Sequence, residues 1–219
     1  MKPLLPAGQA ALSAPMQIIL LMTALTLLPA LIMSVTPFLR ISIVLHFLRQ
    51  ALGTQSAPSN QVLIGLSLFL TAVTIQPMVA QIYKEAWEPV ERGDITATQA
   101  YDIGSKPLKA YLSRFAREKD VRLFVDLTHA PAPRTAADLD LQVLAAAYIL
   151  SEMRAGFQIG AVIFLPFLLI DIVVASVTLS IGMVQLPPAM VSAPFKLLLF
   201  VLVDGWNLTV GSLMKGFFA

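Results

Sequence analysis

Residues 157–176 read FQIGAVIFLPFLLIDIVVAS, twenty positions that carry a single charge, Asp171. A helix needs about 20 apolar residues to cross a hydrocarbon core, so the stretch has bilayer length, and the apolar region it opens, 157–218, is long enough for two such helices. Residues 16–39 and 61–83 are two further apolar stretches of that size. Between them and the first, residues 84–140 hold most of the Asp, Glu, Lys and Arg, with the two signs nearly balanced. A balanced stretch reads as a solvated, folded insert rather than a polybasic loop retained on the inside. The whole chain agrees with this layout: of 219 residues 57% are hydrophobic and 13% charged, with a mean hydropathy of +0.78, far from a soluble domain. A formal net charge of +2 gives no footprint for nucleic acid, and a chain with no cysteine has neither disulfides nor thiolate metal sites.

The polar insert is expected to be helical. Leu108, Tyr111, Leu112 and Phe115 fall at i, i+3, i+4, i+7, and Thr96 with Gln99 makes a capping-box pattern ahead of them. Val121, Phe124 and Val125 suggest a second, shorter helix, the prolines after His129 interrupt the chain, and residues 138–140 can start the helix that returns to the apolar region. No long period-two alternation suggests a β-barrel. The expected fold class is an all-α membrane protein: an N-terminal segment 1–15, a first apolar helical region 16–83, a polar helical domain 84–140, and a second apolar hairpin region 141–219. Residues 1–15 show no convincing cleavable signal, Lys2 being their only charge. Pro29, Pro37, Pro77, Pro166 and Pro194 lie in or beside the apolar stretches. Each removes a backbone donor, so these helices are expected to be buried against other protein, although ordinary kinked spans fit the pattern equally well.

Signatures of catalysis are missing from the string. There is no phosphate-cradling Walker loop and no His-Glu-x-x-His, and Gly65-Leu-Ser-Leu-Phe69 lacks the second glycine of a nucleophile elbow. His46 and His129 have no metal-ligand spacing, and His46 reads as a packed or interfacial residue. Enzymatic, cofactor-binding and metal roles are therefore not expected. What stands out are charges in apolar surroundings: Arg40, Arg49, Glu152, Arg154, Asp171, Lys196 and Asp204. Such groups face protein or water and mark either packing pairs or proton paths. A hairpin could bring Asp171, Asp204 or both toward Lys196. Gly156 and Gly160 form a small-xxx-small pair that lets another helix approach closely. Phe164, Phe167, Phe195 and Phe200 read as packing residues. Gly182 and the prolines at 187 and 188 end one helix and redirect the chain.

The strings Leu48-Arg-Gln-Ala-Leu-Gly53 and Pro58-Ser-Asn-Gln-Val62 resemble the FliP/SctR family of type III secretion export-gate proteins. Ser151-Glu152, Phe157-Gln-Ile-Gly160, Leu165-Pro-Phe-Leu-Leu-Ile-Asp171, Gly182-Met183, Pro194-Phe-Lys196 and Leu202-Val-Asp-Gly-Trp206 strengthen the match, in one order from about Gln17 to the C-terminus. Arg49-Gln-Ala, Val173-Val-Ala-Ser176 and Val210-Gly-Ser-Leu213 look more like the flagellar than the injectisome branch. The resemblance implies a core subunit of the flagellar export gate in the bacterial inner membrane, with several copies, expected to be five, around a channel. FliQ-like and FliR-like subunits would be its partners, unfolded flagellar proteins its cargo, and the polar domain would lie on the periplasmic side of the basal body. It also implies that Gly182, Met183, Val184 and Gln185 form a loop that seals the channel, methionine being suited to close around variable chains. Here only Met183 supplies that side chain, where relatives often carry more. Apart from the resemblance, Asp171, Lys196, Asp204, Glu152 and Arg154 are expected to form a buried charge network that fixes helix packing or carries protons. A small-solute channel or transporter is the competing class, and the paired halves it would need are not evident.

Overall fold

The computed structural model describes residues 13–54, 57–129, 135, 138–183 and 187–218, and among these every regular element is helical. Helix α1 spans Ala14–Ser34, α2 Phe38–Ala51 and α3 Asn60–Ile82. The last runs on without a break through a π-helical turn, Tyr83–Trp87, into α4, Glu88–Arg92, so one rod carries the chain from the apolar region into the polar one. Gly93 ends it in the left-handed conformation that glycine adopts without steric cost. Helix α5 is Ala97–Phe115 and α6 Glu118–Thr128, then α7 spans Leu141–Ser180, α8 Pro188–Leu202 and α9 Gly205–Phe218.

Local chemistry explains the starts. The Thr96 hydroxyl accepts from the Gln99 backbone N–H at 3.3 Å, and the Thr96 N–H donates to Gln99 Oε1 at 2.8 Å, so the reciprocal capping box forms as the spacing suggests. Helix α6 opens with Glu118 and Asp120 in its first turn, where carboxylates meet the positive end of the helix. Helix α7 closes with a left-handed Gly182: the Met183 N–H donates to the Thr178 carbonyl at 3.0 Å and the Gly182 N–H to Leu179 at 3.1 Å, the two bonds of a Schellman stop.

Helix α2 organises the packing. Its Ile41, Val44 and Leu45 form one core with Leu63 and Leu70 of α3 and Leu213 and Phe217 of α9; its Leu48 and Ala51 form another with Phe167 of α7 and Phe200 of α8. A third core joins α5, α6 and the first half of α7 around Leu112, Val125, Leu144 and Tyr148. The polar insert is therefore fastened to α7.

Among the described residues, three helices or helical rods are long and apolar enough to span a bilayer: α1, the rod from Asn60 to Arg92, and α7; the pair α8 and α9, bent by 64°, makes a fourth if taken as one span. At about 1.5 Å per residue the 40 residues of α7 reach about 60 Å, twice the thickness of a hydrocarbon core of about 30 Å. Its first half is embedded in the polar domain, and its second half presents Leu165, Leu169, Val173 and Val177 outward. Helix α1 has no buried residue at all.

Candidate functional site

The charged groups singled out in the sequence do not join into one network. Arg40, Glu152, Arg154, Asp171 and Lys196 separate into three stations along α7, each tying that helix to a different neighbour, whereas Arg49 donates to the Pro58 carbonyl at 3.5 Å away from them. At the first, Arg40 of α2 donates through Nη2 to Glu152 Oε1, with Glu152 wholly buried and Arg40 8% exposed. The guanidinium also lies over the ring of Phe217, 4.4 Å from its centroid, so α9 joins the pair through a cation–π contact. Tyr111 and Tyr148 pack beside it with centroids 6.2 Å apart, and burial raises the Tyr111 hydroxyl above the ordinary phenol range, keeping it neutral.

Arg154 turns away from Glu152, since residues two apart on a helix face different sides. Its Nη2 lies 3.2 Å from Asp120 Oδ1 of α6, and Ser151 donates to the other oxygen of Asp120 at 2.7 Å. Ser151 in turn accepts the Arg117 backbone N–H at 2.9 Å. Asp120 is almost completely buried, and sequence reasoning missed it because an acid in the first turn of an amphipathic helix normally faces water. This second station clips the polar domain onto α7.

The third station holds the expected acid–base pair. Lys196 of α8 is 3% exposed and donates from Nζ to Asp171 Oδ2 at 2.6 Å, while Ser192, one turn earlier on α8, donates to Oδ1 at 2.5 Å. Both oxygens of Asp171 are thus satisfied by one face of α8. The turn after α2 covers the pair: a Cβ added to Gly53 would stand 3.9 Å from Lys196 Nζ. Asp204 does not take part. It sits at the break between α8 and α9 with φ +50, accepts from Asn207 Nδ2 at 3.1 Å, and starts α9, because the chain bends away from Lys196 there.

Gly156 and Gly160 lie where α2 crosses α7. A Cβ at Gly156 would meet Ile43 at 3.0 Å, and one at Gly160 would meet Phe47 Cγ at 2.6 Å and its Cβ at 2.9 Å. The small residues let α2 sit against α7 inside the chain itself, and Phe47 completes the seam edge-on to Phe157 at 5.5 Å. His46 is held by polar contacts, Nδ1 at 2.7 Å from the Ser42 carbonyl and Nε2 at 2.9 Å from Asn60 Oδ1. Among the loop residues, Gly182 is exposed and Met183 is 41% exposed, next to the α7 stop; Val184 and Gln185 lie outside the described residues. Among the described residues no three His, Asp or Glu side chains gather as metal ligands.

A protein-family model described as the FliP family matches residues 21–213. The chain is 45% identical over 215 residues to the flagellar biosynthetic protein FliP of Pectobacterium carotovorum subsp. carotovorum, covering 98% of this chain and 83% of the relative. It is 46% identical over 205 residues to the protein of the same name from Bacillus subtilis, covering 94% and 93%. The corresponding Cereibacter sphaeroides protein is 48% identical over 92% of this chain and 67% of its own length. The matched region contains the ion pairs of the three stations, the glycine seam and the α7–α8 loop, and the chain belongs to the FliP family of flagellar biosynthetic proteins.

Proposed function

We propose that the chain is a core subunit of the flagellar type III export gate. Several copies, together with FliQ-like and FliR-like subunits, enclose a channel for unfolded flagellar proteins. The gate stands in the bacterial inner membrane with the polar helices on the periplasmic side. The observation that carries this reading is the mismatch between what the chain exposes and what lipid can cover. Pro29, Pro77, Pro166 and Pro194 all sit inside exposed helices, where the carbonyls they leave unpaired need a donor that hydrocarbon does not supply. Helix α7 exposes large apolar side chains from Met153 to Leu179, about 40 Å of rise against a hydrocarbon core of about 30 Å. Neighbouring protein would cover both. The flagellar reading is favoured over a virulence injectisome because the relatives named above are flagellar biosynthetic proteins.

In this reading Gly182, Met183, Val184 and Gln185 line the constriction, and the three stations hold α7 rigid above and beside it. Co-expression with FliQ-like and FliR-like subunits, followed by size-exclusion in detergent, tests the assembly. A gate subunit elutes in a large mixed complex, whereas a transporter remains a small oligomer of its own. Deleting residues 183–185 in the assembled complex tests the loop: increased passage of small solutes with assembly intact supports a seal, and unchanged permeability reduces the loop to a turn.

A further inference from the structure

We infer that the first station is a water-binding site, in which at least one ordered water joins Glu152 to Tyr111 and Tyr148 where α2, α5 and α7 meet. Among the described residues, the buried side-chain polar atoms without a hydrogen-bond partner in the protein are Arg40 Nε, Tyr111 Oη, Tyr148 Oη and Glu152 Oε2, and all belong to this station. Their closeness follows from the contacts around them. Tyr148 and Glu152 are four residues apart on α7 and share a face. The rings of Tyr148 and Tyr111 have centroids 6.2 Å apart, and Arg40 is bonded to Glu152 through another of its nitrogens. The Tyr111 hydroxyl feels Tyr148, the Glu152 charge and the Arg40 charge together, which puts the four groups in one electrostatic neighbourhood.

The chemistry of these atoms selects water over an ion. Arg40 and Glu152 cancel in charge, so the site calls for neither a cation nor an anion. It offers a carboxylate oxygen that only accepts, a guanidinium N–H that only donates and two hydroxyls that do both. Water can donate to the first, accept from the second and complete either hydroxyl, and buried waters make about three hydrogen bonds, a number this set supplies. Left dry, each atom would carry the full desolvation cost of its burial. Two clefts border the station: Arg40 lines one of about 520 Å³ between α7 and α9, and Tyr111 lines another of about 350 Å³ among α3, α5 and α9. The polar insert therefore reaches the α2–α7 ion pair through a bridging water, in addition to the apolar contacts of its core.

Tyr111→Phe and Tyr148→Phe each remove one hydroxyl and leave the ring in place, and the sign of their effect is the test. A hydroxyl bonded to water loses a hydrogen bond when it is deleted, whereas deleting a dry, unpartnered hydroxyl removes a cost and stabilises the fold. Each variant, made in the full chain and measured in its detergent-solubilised complex, is expected to lower the thermal unfolding midpoint by about 2–4 °C. That is the shift given by about a fivefold change in the folding equilibrium, the effect of one hydrogen bond in a chain of this size. Either variant matching or exceeding the wild type in stability overturns the site. A density map of the same complex, fine enough to show ordered water, separates a bridge from a direct bond. A peak about 3 Å from both Glu152 Oε2 and a tyrosine hydroxyl is expected. A hydroxyl bonded straight to Glu152 with no peak between them overturns the inference even where the variants lose stability.

Discussion

Replacing Arg40 by methionine isolates the buried pair that links four helices. Glu152 is wholly buried, its Oε1 is held by Arg40, and its Oε2 has no hydrogen-bond partner among the described residues. Removing the cation leaves a carboxylate uncompensated in low dielectric, which costs about 3–5 kcal/mol in comparable buried pairs. The contact of the guanidinium with Phe217 contributes about 0.5–2 kcal/mol more, and methionine recovers only its packing share. Most of the loss is thus a penalty on Glu152 and not the net worth of the pair. The double variant Arg40→Met with Glu152→Gln, which keeps shape and removes the charge, should therefore recover at least half of what the single variant loses. Thermal unfolding of the detergent-solubilised complex reads this out; a loss of that size lowers the midpoint by about 10 °C for a chain near 200 residues. If the double variant is no more stable than Arg40→Met alone, the uncompensated charge is not the source of the loss, and the account of this station is wrong.

Three further outcomes follow from the same geometry. Gly160→Ala places a Cβ 2.6 Å from Phe47 Cγ and should destabilise the α2–α7 seam by about 1–3 kcal/mol, with Phe47→Leu restoring part of it in unfolding measurements. Lys196→Ala leaves Asp171 without its cation and should impair assembly, whereas Asp204→Asn should assemble normally, since Asn serves as well at a left-handed helix start; co-purification of partner subunits compares the two. A cysteine in place of Thr98, exposed at the start of α5, should react with a membrane-impermeant maleimide from the periplasmic side; labelling only from the cytoplasm would reverse the proposed topology.

The polar insert was legible because its signals are local. The Thr96–Gln99 box and the Leu108, Tyr111, Leu112, Phe115 period need only neighbouring residues, and both appear as helix α5. Helix α2 was not legible: Arg40, His46 and Arg49 lower its apolar character until it resembles a connection between two spans. Yet its Ile41, Val44 and Leu45 are fully buried, because the charges find partners on other elements and the apolar residues share the remaining faces. The hairpin argument brought Lys196 to Asp171 but could not choose between Asp171 and Asp204, a choice made by the 64° bend after α8. Asp120 as the partner of Arg154 was hidden by 33 intervening residues, the kind of pairing that only tertiary structure decides.

The α7–α8 loop is proposed to border a path taken by exported chains. A photo-crosslinking side chain in place of Met183, in the assembled complex in the inner membrane, tests it with a flagellar subunit stalled during export by a folded C-terminal fusion. An adduct between position 183 and the stalled subunit is expected, and it should disappear when export is not engaged. A stalled complex that gives no adduct at position 183, while its assembly is intact, would contradict it.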